Sequence, residues 1–370
     1  MKLSSPWLVI LLFLLALAPL GVLIWRLRSW RTSRRGRWAM AATIVVAQLA
    51  MVLPTAAAIN DAFAFYPAWS DLLGRAGTIS QHKVPPRGEL ENKALASLAT
   101  APPGHGVIVG TTFVNPATGL STGSLVYFPV AYRKDRLKRF PVIVMVNGYP
   151  GSALSYTQNF GIGNVLDEEI RAGRMAPTIA VIPNAEVTPP RDTECVDVPG
   201  GPAVETLLGP ILKAAIVREV RARPERSAWG TLGYSTGAFC AVQLLLHHPD
   251  LYSTAVSMSG YFTAPRDITT GDLYGSDANR NYNSPLWFIH NVPLTFPLSI
   301  LLATGGKEKE SFAAAQVFKA NPPPGLTFDQ IRNATGGHSF RMWRLLMPTC
   351  LDWMSAHLSG AVAPTPRQGR

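Results

Sequence analysis

The chain has 370 residues, 47% of them hydrophobic and 15% charged, with a formal net charge of +11. That is more than one typical domain needs, and enough apolar material for a large core as well as membrane segments. The positive excess does not mark a nucleic-acid binder: seven basic and no acidic residues precede Asp61, leaving 27 basic against 23 acidic residues, or +4, for the rest, with no basic and aromatic stripe.

Two apolar runs come first, Trp7 to Trp25 and Trp38 to Ile59. Each approaches the roughly 20 residues a helix needs to cross a bilayer. Trp7, Trp25 and Trp38 stand at their ends, where indole rings favour the interface. The linker between them carries Arg26, Arg28, Arg31, Arg34, Arg35 and Arg37. By the positive-inside rule it stays cytoplasmic, which predicts an extracytoplasmic location for everything after Ile59. Residues 1–60 therefore read as a membrane anchor. The competing reading is a long, cleaved signal, since Ala56-Ala57-Ala58 resembles a small-residue cleavage site.

Residues 61–104 read as a membrane-proximal connector, with a short helix over Glu89 to Leu98 that could pack on the following domain. Strands are expected at Val107 to Val114, Leu125 to Phe128, Pro141 to Val146 and Thr178 to Ile182. Further strands are expected at Ala228 to Leu232, Thr254 to Ser259, Leu298 to Ala303 and Leu326 to Ile331. Helical patterns lie between or after them at Asn164 to Ala172, Ala203 to Arg221, Ala238 to His247, Ser311 to Phe318 and Ser339 to Leu358. The continuous apolar strands and this alternation predict an α/β fold over residues 105–360, a mostly parallel sheet with helices on both faces. Residues 361–370 read as a disordered tail.

Gly233-Tyr234-Ser235-Thr236-Gly237 joins a strand to a helix, the setting of a nucleophile elbow. The sharp turn would expose the Ser235 hydroxyl above the sheet and let the Thr236 amide face a reacting carbonyl oxygen. An ordinary Gly-rich turn is the plain alternative. His338, in the loop after the last strand, could take and return the serine proton; His290 is the weaker rival, and His247 and His248 cap a helix end. The acid should fall between serine and histidine in the chain. Glu308 follows the Leu298 to Ala303 strand and is the first choice, with Glu310, Asp272 and Asp277 behind it. The second oxyanion donor should come from the loop after Pro141 to Val146, where Gly148 permits close approach and Tyr149 offers its amide.

Outside the cytoplasm a disulfide is permitted, and Cys195, in a loop, could reach Cys240, just past the elbow, with one cysteine left over; three buried thiols acting as small hydrophobes are the plain alternative. No Cys/His spacing suggests zinc, and no metal or organic cofactor is indicated.

Val144-Met145-Val146-Asn147-Gly148, the elbow pentapeptide, and Gly337-His338 with Trp343 beyond it resemble the putative-esterase family of α/β-hydrolases, which contains esterase-D-type enzymes and secreted mycolyltransferases. The resemblance covers about Val107 to Leu358. It implies an α/β-hydrolase fold and an acyl-serine intermediate, with water or a sugar hydroxyl as the final acceptor. Many relatives have aspartate where Glu308 stands, whereas the mycolyltransferases use glutamate. Methionine is common where this chain has Thr236, but only the amide of that position is needed.

The expected protein is a membrane-anchored serine esterase or acyltransferase acting on a small-molecule or lipid ester of the cell envelope. A catalytically silent domain of the same fold, serving as a scaffold or binding protein, is the alternative from another class. A peptidase lacks the lid or propeller domain that would support it. The oligomeric state is left open.

Overall fold

The course of the chain after residue 100 follows from which strands are apolar on both faces. The structure, a computed structural model, describes residues 5–63, 86–189 and 191–360. Its chain divides into two compact units, Met1–Gly77 and Thr78–Arg370.

The first unit is a helical hairpin, Pro6–Arg31 and Arg34–Phe63, with the two helices against each other. Both are long and apolar enough to cross a membrane, a property they share with signal sequences. The helices run beyond the apolar stretches read from the sequence. Arginine is a good helix former, so Arg26 to Arg31 and Arg34 to Arg37 extend the two helices and only Thr32 and Ser33 break them. The Arg26 guanidinium sits 4.4 Å over the Trp25 ring.

The second unit is built on an eight-stranded sheet: β1 (Val107–Val114), β2 (Ser121–Phe128), β3 (Val142–Val146), β4 (Ile179–Pro183), β5 (Trp229–Tyr234), β6 (Thr254–Met258), β7 (Leu298–Gly305) and β8 (Leu326–Asn333). The strand order is β1-β2-β4-β3-β5-β6-β7-β8. β1 and β2 form an antiparallel hairpin, β2 meets β4 antiparallel, and every pairing from β4 to β8 is parallel. This is the mostly parallel, helix-covered α/β-hydrolase architecture.

Side chains alternate across the central strands, so two cores form, one on each face. Val142, Val144 and Val146 of β3 join Ile179 and Val181 of β4 in one core, with the helix after β5 (Thr236–His247) supplying Leu244 and Leu245. Ile143 and Met145 join Ala180 and Ile182 in the other, closed by Met342, Leu346, Met347 and Met354 of the last helix, Phe340–His357. The helix Glu89–Thr100 buries Leu90, Ala94 and Leu98 in the first core. The expected connector thus contributes to the packing of the second unit; its residues 64–85, like the expected tail over 361–370, lie outside the described residues.

Several elements depart from the sequence expectation in their bounds. β2 starts four residues early, because Ser121 to Ser124 pair with β1 despite their polar, patternless run. β8 likewise runs on to Asn333 beside Gly305. The helical stretch expected over Ala203 to Arg221 is interrupted by a wide π turn at Leu207–Ile211 and ends at Glu219. Pro210 within that turn has no N–H to give, and the wider winding accommodates it.

Cys195 and Cys240 are bonded, with Cα atoms 5.6 Å apart, and Cys350 is buried outside that disulfide. The bond ties the loop after β4 to the helix that follows β5. Cys240→Ala opens a link across 45 residues of chain; a loss of about 2–4 kcal/mol is expected from the freed unfolded state. Urea denaturation of the purified protein measures it, and an unshifted midpoint would show that packing alone holds the loop.

Candidate active site

β5 lies between β3 and β6 near the middle of the sheet, and its carboxyl end turns sharply into a helix at Ser235. The serine has φ 56° and ψ −127°, a strained backbone for a residue with a side chain. Neighbouring backbone leaves no room for anything larger than glycine on either side. A methyl group at Gly237 would overlap the carbonyl oxygens of Val146 and Asn147, and one at Gly148 would lie 2.9 Å from the carbonyl oxygen of Tyr234 and 3.0 Å from Cβ of Ser235. The loop after β3 therefore touches the serine turn directly. Tyr149, whose amide is the expected second oxyanion donor, follows Gly148 in that loop.

The other two expected residues arrive from the ends of β7 and β8, farther along the same edge of the sheet. His338 Nε2 is 2.9 Å from Ser235 Oγ, and His338 Nδ1 is 2.8 Å from Glu308 Oε1. A carboxylate partner at Nδ1 favours the tautomer with its proton there, leaving Nε2 to accept from the serine hydroxyl. The imidazole is half exposed, at 45% of its side-chain surface, while the Glu308 side chain is 3% exposed. Burial alone would raise the Glu308 pKa. Hydrogen bonds from His338, the Ser259 hydroxyl and the Gly305 amide outweigh it and hold the carboxyl below its usual range.

The alternatives lie elsewhere. Glu310 is exposed in the first turn of the helix Lys309–Lys319, whereas Glu308 stands at the cap and turns inward. Asp277 pairs with Arg266, Asp272 is exposed in a loop, and His290 is exposed on the helix Pro285–Asn291. His247 binds Glu205.

Several supporting groups were not anticipated. Ser259, at φ 57° just after β6, donates to Glu308 Oε2 at 2.8 Å and accepts the Trp343 indole N–H at 2.8 Å. The Trp343 ring also meets His338 edge-on, with centroids 4.8 Å apart, and packs on Tyr234. On the opposite side Thr236 is buried under the loop after β4. Its hydroxyl lies 3.4 Å from Asp192 and 3.3 Å from the Tyr261 hydroxyl, which also sits within 2.7 Å of both Glu194 carboxylate oxygens. Burial pushes the Asp192 carboxyl up to about 6 and the Glu194 carboxyl well above its ordinary value. Ser259, Asp192, Glu194 and Tyr261 sit in no recognisable local motif. Only a serine ending the strand beside the elbow strand and a tryptophan just past the histidine loop were available as signals.

A carboxyl whose pKa is lower in the folded than in the unfolded chain stabilises the fold above the ordinary value of 4.5, and that contribution is lost as pH falls through the lower folded value. The stability difference between the protein and Glu308→Gln should accordingly shrink as pH falls below 4.5. Urea titrations on both sides of that value check it; a constant difference would mean that the carboxyl titrates alike in both states.

The sequence profile of the family described as "Putative esterase" matches residues 116–354. An uncharacterized protein of Corynebacterium glutamicum is 25% identical over 372 residues, covering 95% of this chain and 82% of that one, so the likeness reaches into the N-terminal hairpin. Among solved structures, an S-formylglutathione hydrolase from Agrobacterium tumefaciens superposes with a TM-score of 0.58 at 14% identity, covering 70% of this chain and 98% of its own. A ferulic acid esterase superposes with a TM-score of 0.56 at 17% identity, covering 68% of this chain and 98% of its own. At these identities the structures share the fold. With the profile spanning most of the sequence, the chain belongs to the putative-esterase family.

Proposed function

We propose that this esterase-family protein is a membrane-anchored, extracytoplasmic serine esterase or acyltransferase that works through an acyl-serine intermediate. The observation that carries the reading is the unbroken hydrogen-bonded run from Ser235 Oγ through His338 to buried Glu308. In this scheme the serine oxygen attacks the ester carbonyl carbon while its proton passes to His338 Nε2. Glu308, ionised, steadies the imidazolium through Nδ1–H. The amides of Thr236 and Tyr149 receive the charge that grows on the carbonyl oxygen, each worth roughly 3 kcal/mol in such sites. Collapse expels the alcohol, which takes the proton from His338 and leaves the acyl group on Ser235. Water or an acceptor hydroxyl then attacks the acyl carbon, giving its proton to His338, and the bond to Ser235 Oγ breaks as that oxygen takes the proton back from His338.

Two features support the location. The hairpin has arginines only at its turn-side ends, which favours a cytoplasmic turn. The Cys195–Cys240 bond suits an oxidising compartment. A domain held near a bilayer would meet lipid or acylated envelope esters first.

A fluorophosphonate probe should label the protein and fail to label Ser235→Ala; folded protein that stays unlabelled would point instead to a silent scaffold. An acyl-chain series of p-nitrophenyl esters, run with and without trehalose, then separates the two enzymatic outcomes: acyl-sugar product identifies a transferase, free acid alone a hydrolase. For the topology, a cysteine at Thr32 should resist impermeant thiol reagents in intact cells, and ready labelling there would reverse the orientation.

A further inference from the structure

The loop after β3 is anchored at both ends to the loop after β4. At its start, Asn147 Oδ1 accepts the Ala185 amide at 3.0 Å, and Asn147 Nδ2 donates to the Gly148 carbonyl at 3.1 Å. At its end, the Gly151 amide donates to the carboxylate oxygen Oε1 of Glu186. Glu186 is itself held, since the Asn184 side-chain amide donates to its carbonyl at 3.1 Å. Between these two ties lie Gly148, pressed on Ser235, and Tyr149. With both ends fixed, the Tyr149 amide has a set direction; with the Gly151 end released, the loop can pivot about Asn147.

We propose that Glu186 is a positioning residue for the acyl-transfer site, its carboxylate fixing the Gly151 end of the loop and thereby the aim of the Tyr149 amide at the developing oxyanion. The proposal rests on the acyl-serine reading above. An ionised acceptor makes a shorter hydrogen bond, roughly twice as strong as a neutral one, so the latch is firm when Glu186 is charged and slack when it is protonated. Burial pushes this carboxyl up to about 7, the Gly151 amide opposes the shift, and the like charge of Asp192 adds to it. The groups that face it are thus the Gly151 amide from the β3 loop, Asp192 from its own loop and the phenol of Tyr234 at the end of β5. The latch therefore changes state near pH 7.

The test uses the full-length protein, a p-nitrophenyl ester and a fluorophosphonate. At pH 8, Glu186→Ala should lower kcat by about 10- to 100-fold, the scale of a misaimed group near the reacting atoms. KM should stay within about 2-fold, the thermal midpoint should be unchanged, and phosphonylation of Ser235 should slow in parallel. Glu186→Gln keeps only a neutral acceptor for Gly151, the slack form of the latch, so at pH 8 its kcat should fall between those of Glu186→Ala and the unaltered protein. It should also remove one ionisation from the fall in kcat below about pH 7, leaving that limb shallower than in the unaltered protein. The proposal is overturned if Glu186→Ala keeps the normal kcat, if only KM moves, if the loss of kcat tracks a loss of thermal stability, or if Glu186→Gln leaves the pH profile as it was. The two levels fail differently. An unaltered protein that never reacts with the probe removes the acyl-serine reading and this one with it, whereas a reactive protein matched by Glu186→Ala removes this one alone.

Discussion

A carboxylate with 3% of its side chain exposed must either collect donors or give up its charge. Glu308 collects them from three separate strand ends: the hydroxyl of Ser259 after β6, the amide of Gly305 closing β7, and the imidazole of His338 after β8. One buried group thus gathers three loops, and each is placed by the same need. Ser259 passes the constraint on by accepting from Trp343, which brings in the last helix, and the Trp343 ring closes the circuit against His338. Together these donors hold the Glu308 carboxyl below its usual range although burial pushes it the other way.

The other half of the carboxyl edge is organised by backbone crowding. The β3 loop and the β5 turn approach so closely that only glycine fits at 148 and 237. The loop after β4 then covers both, joined to the helix after the turn by the Cys195–Cys240 bond and to Thr236 through Asp192 and the Glu194–Tyr261 pair. Ser235 stands where the two halves meet. The carboxylates of this second half, Glu186, Asp192 and Glu194, are all raised by burial, so their charges are held weakly beside a site where negative charge would develop. That is the opposite of the regime at Glu308, and the difference lies in the number of donors each receives.

Some features were readable because their causes are local. A Gly-flanked serine between an apolar run and a helical pattern, a histidine in a Gly-rich loop and a glutamate just past a strand all report short-range turn chemistry. Continuous apolar strands announce burial on both faces wherever they occur. The choice of Glu308 over Glu310 already depended on where a helix begins, since two residues further on the same side chain points to solvent. The π turn around Pro210 and the polar start of β2 escaped for a related reason: neighbours in space, not the local pattern, decided their backbone.

From the order of residues alone came the α/β character of the domain, the two apolar N-terminal helices with arginines between them, and the identities of the three groups expected to perform the chemistry. Tertiary structure alone decided what holds those groups in place. The Trp343–Ser259 bond spans 84 positions of chain, Ser259–Glu308 spans 49 and Gly151–Glu186 spans 35. No periodicity or spacing rule acts over such separations; these pairs exist because buried polar groups must find partners, and which partner is within reach is settled only when the sheet has assembled.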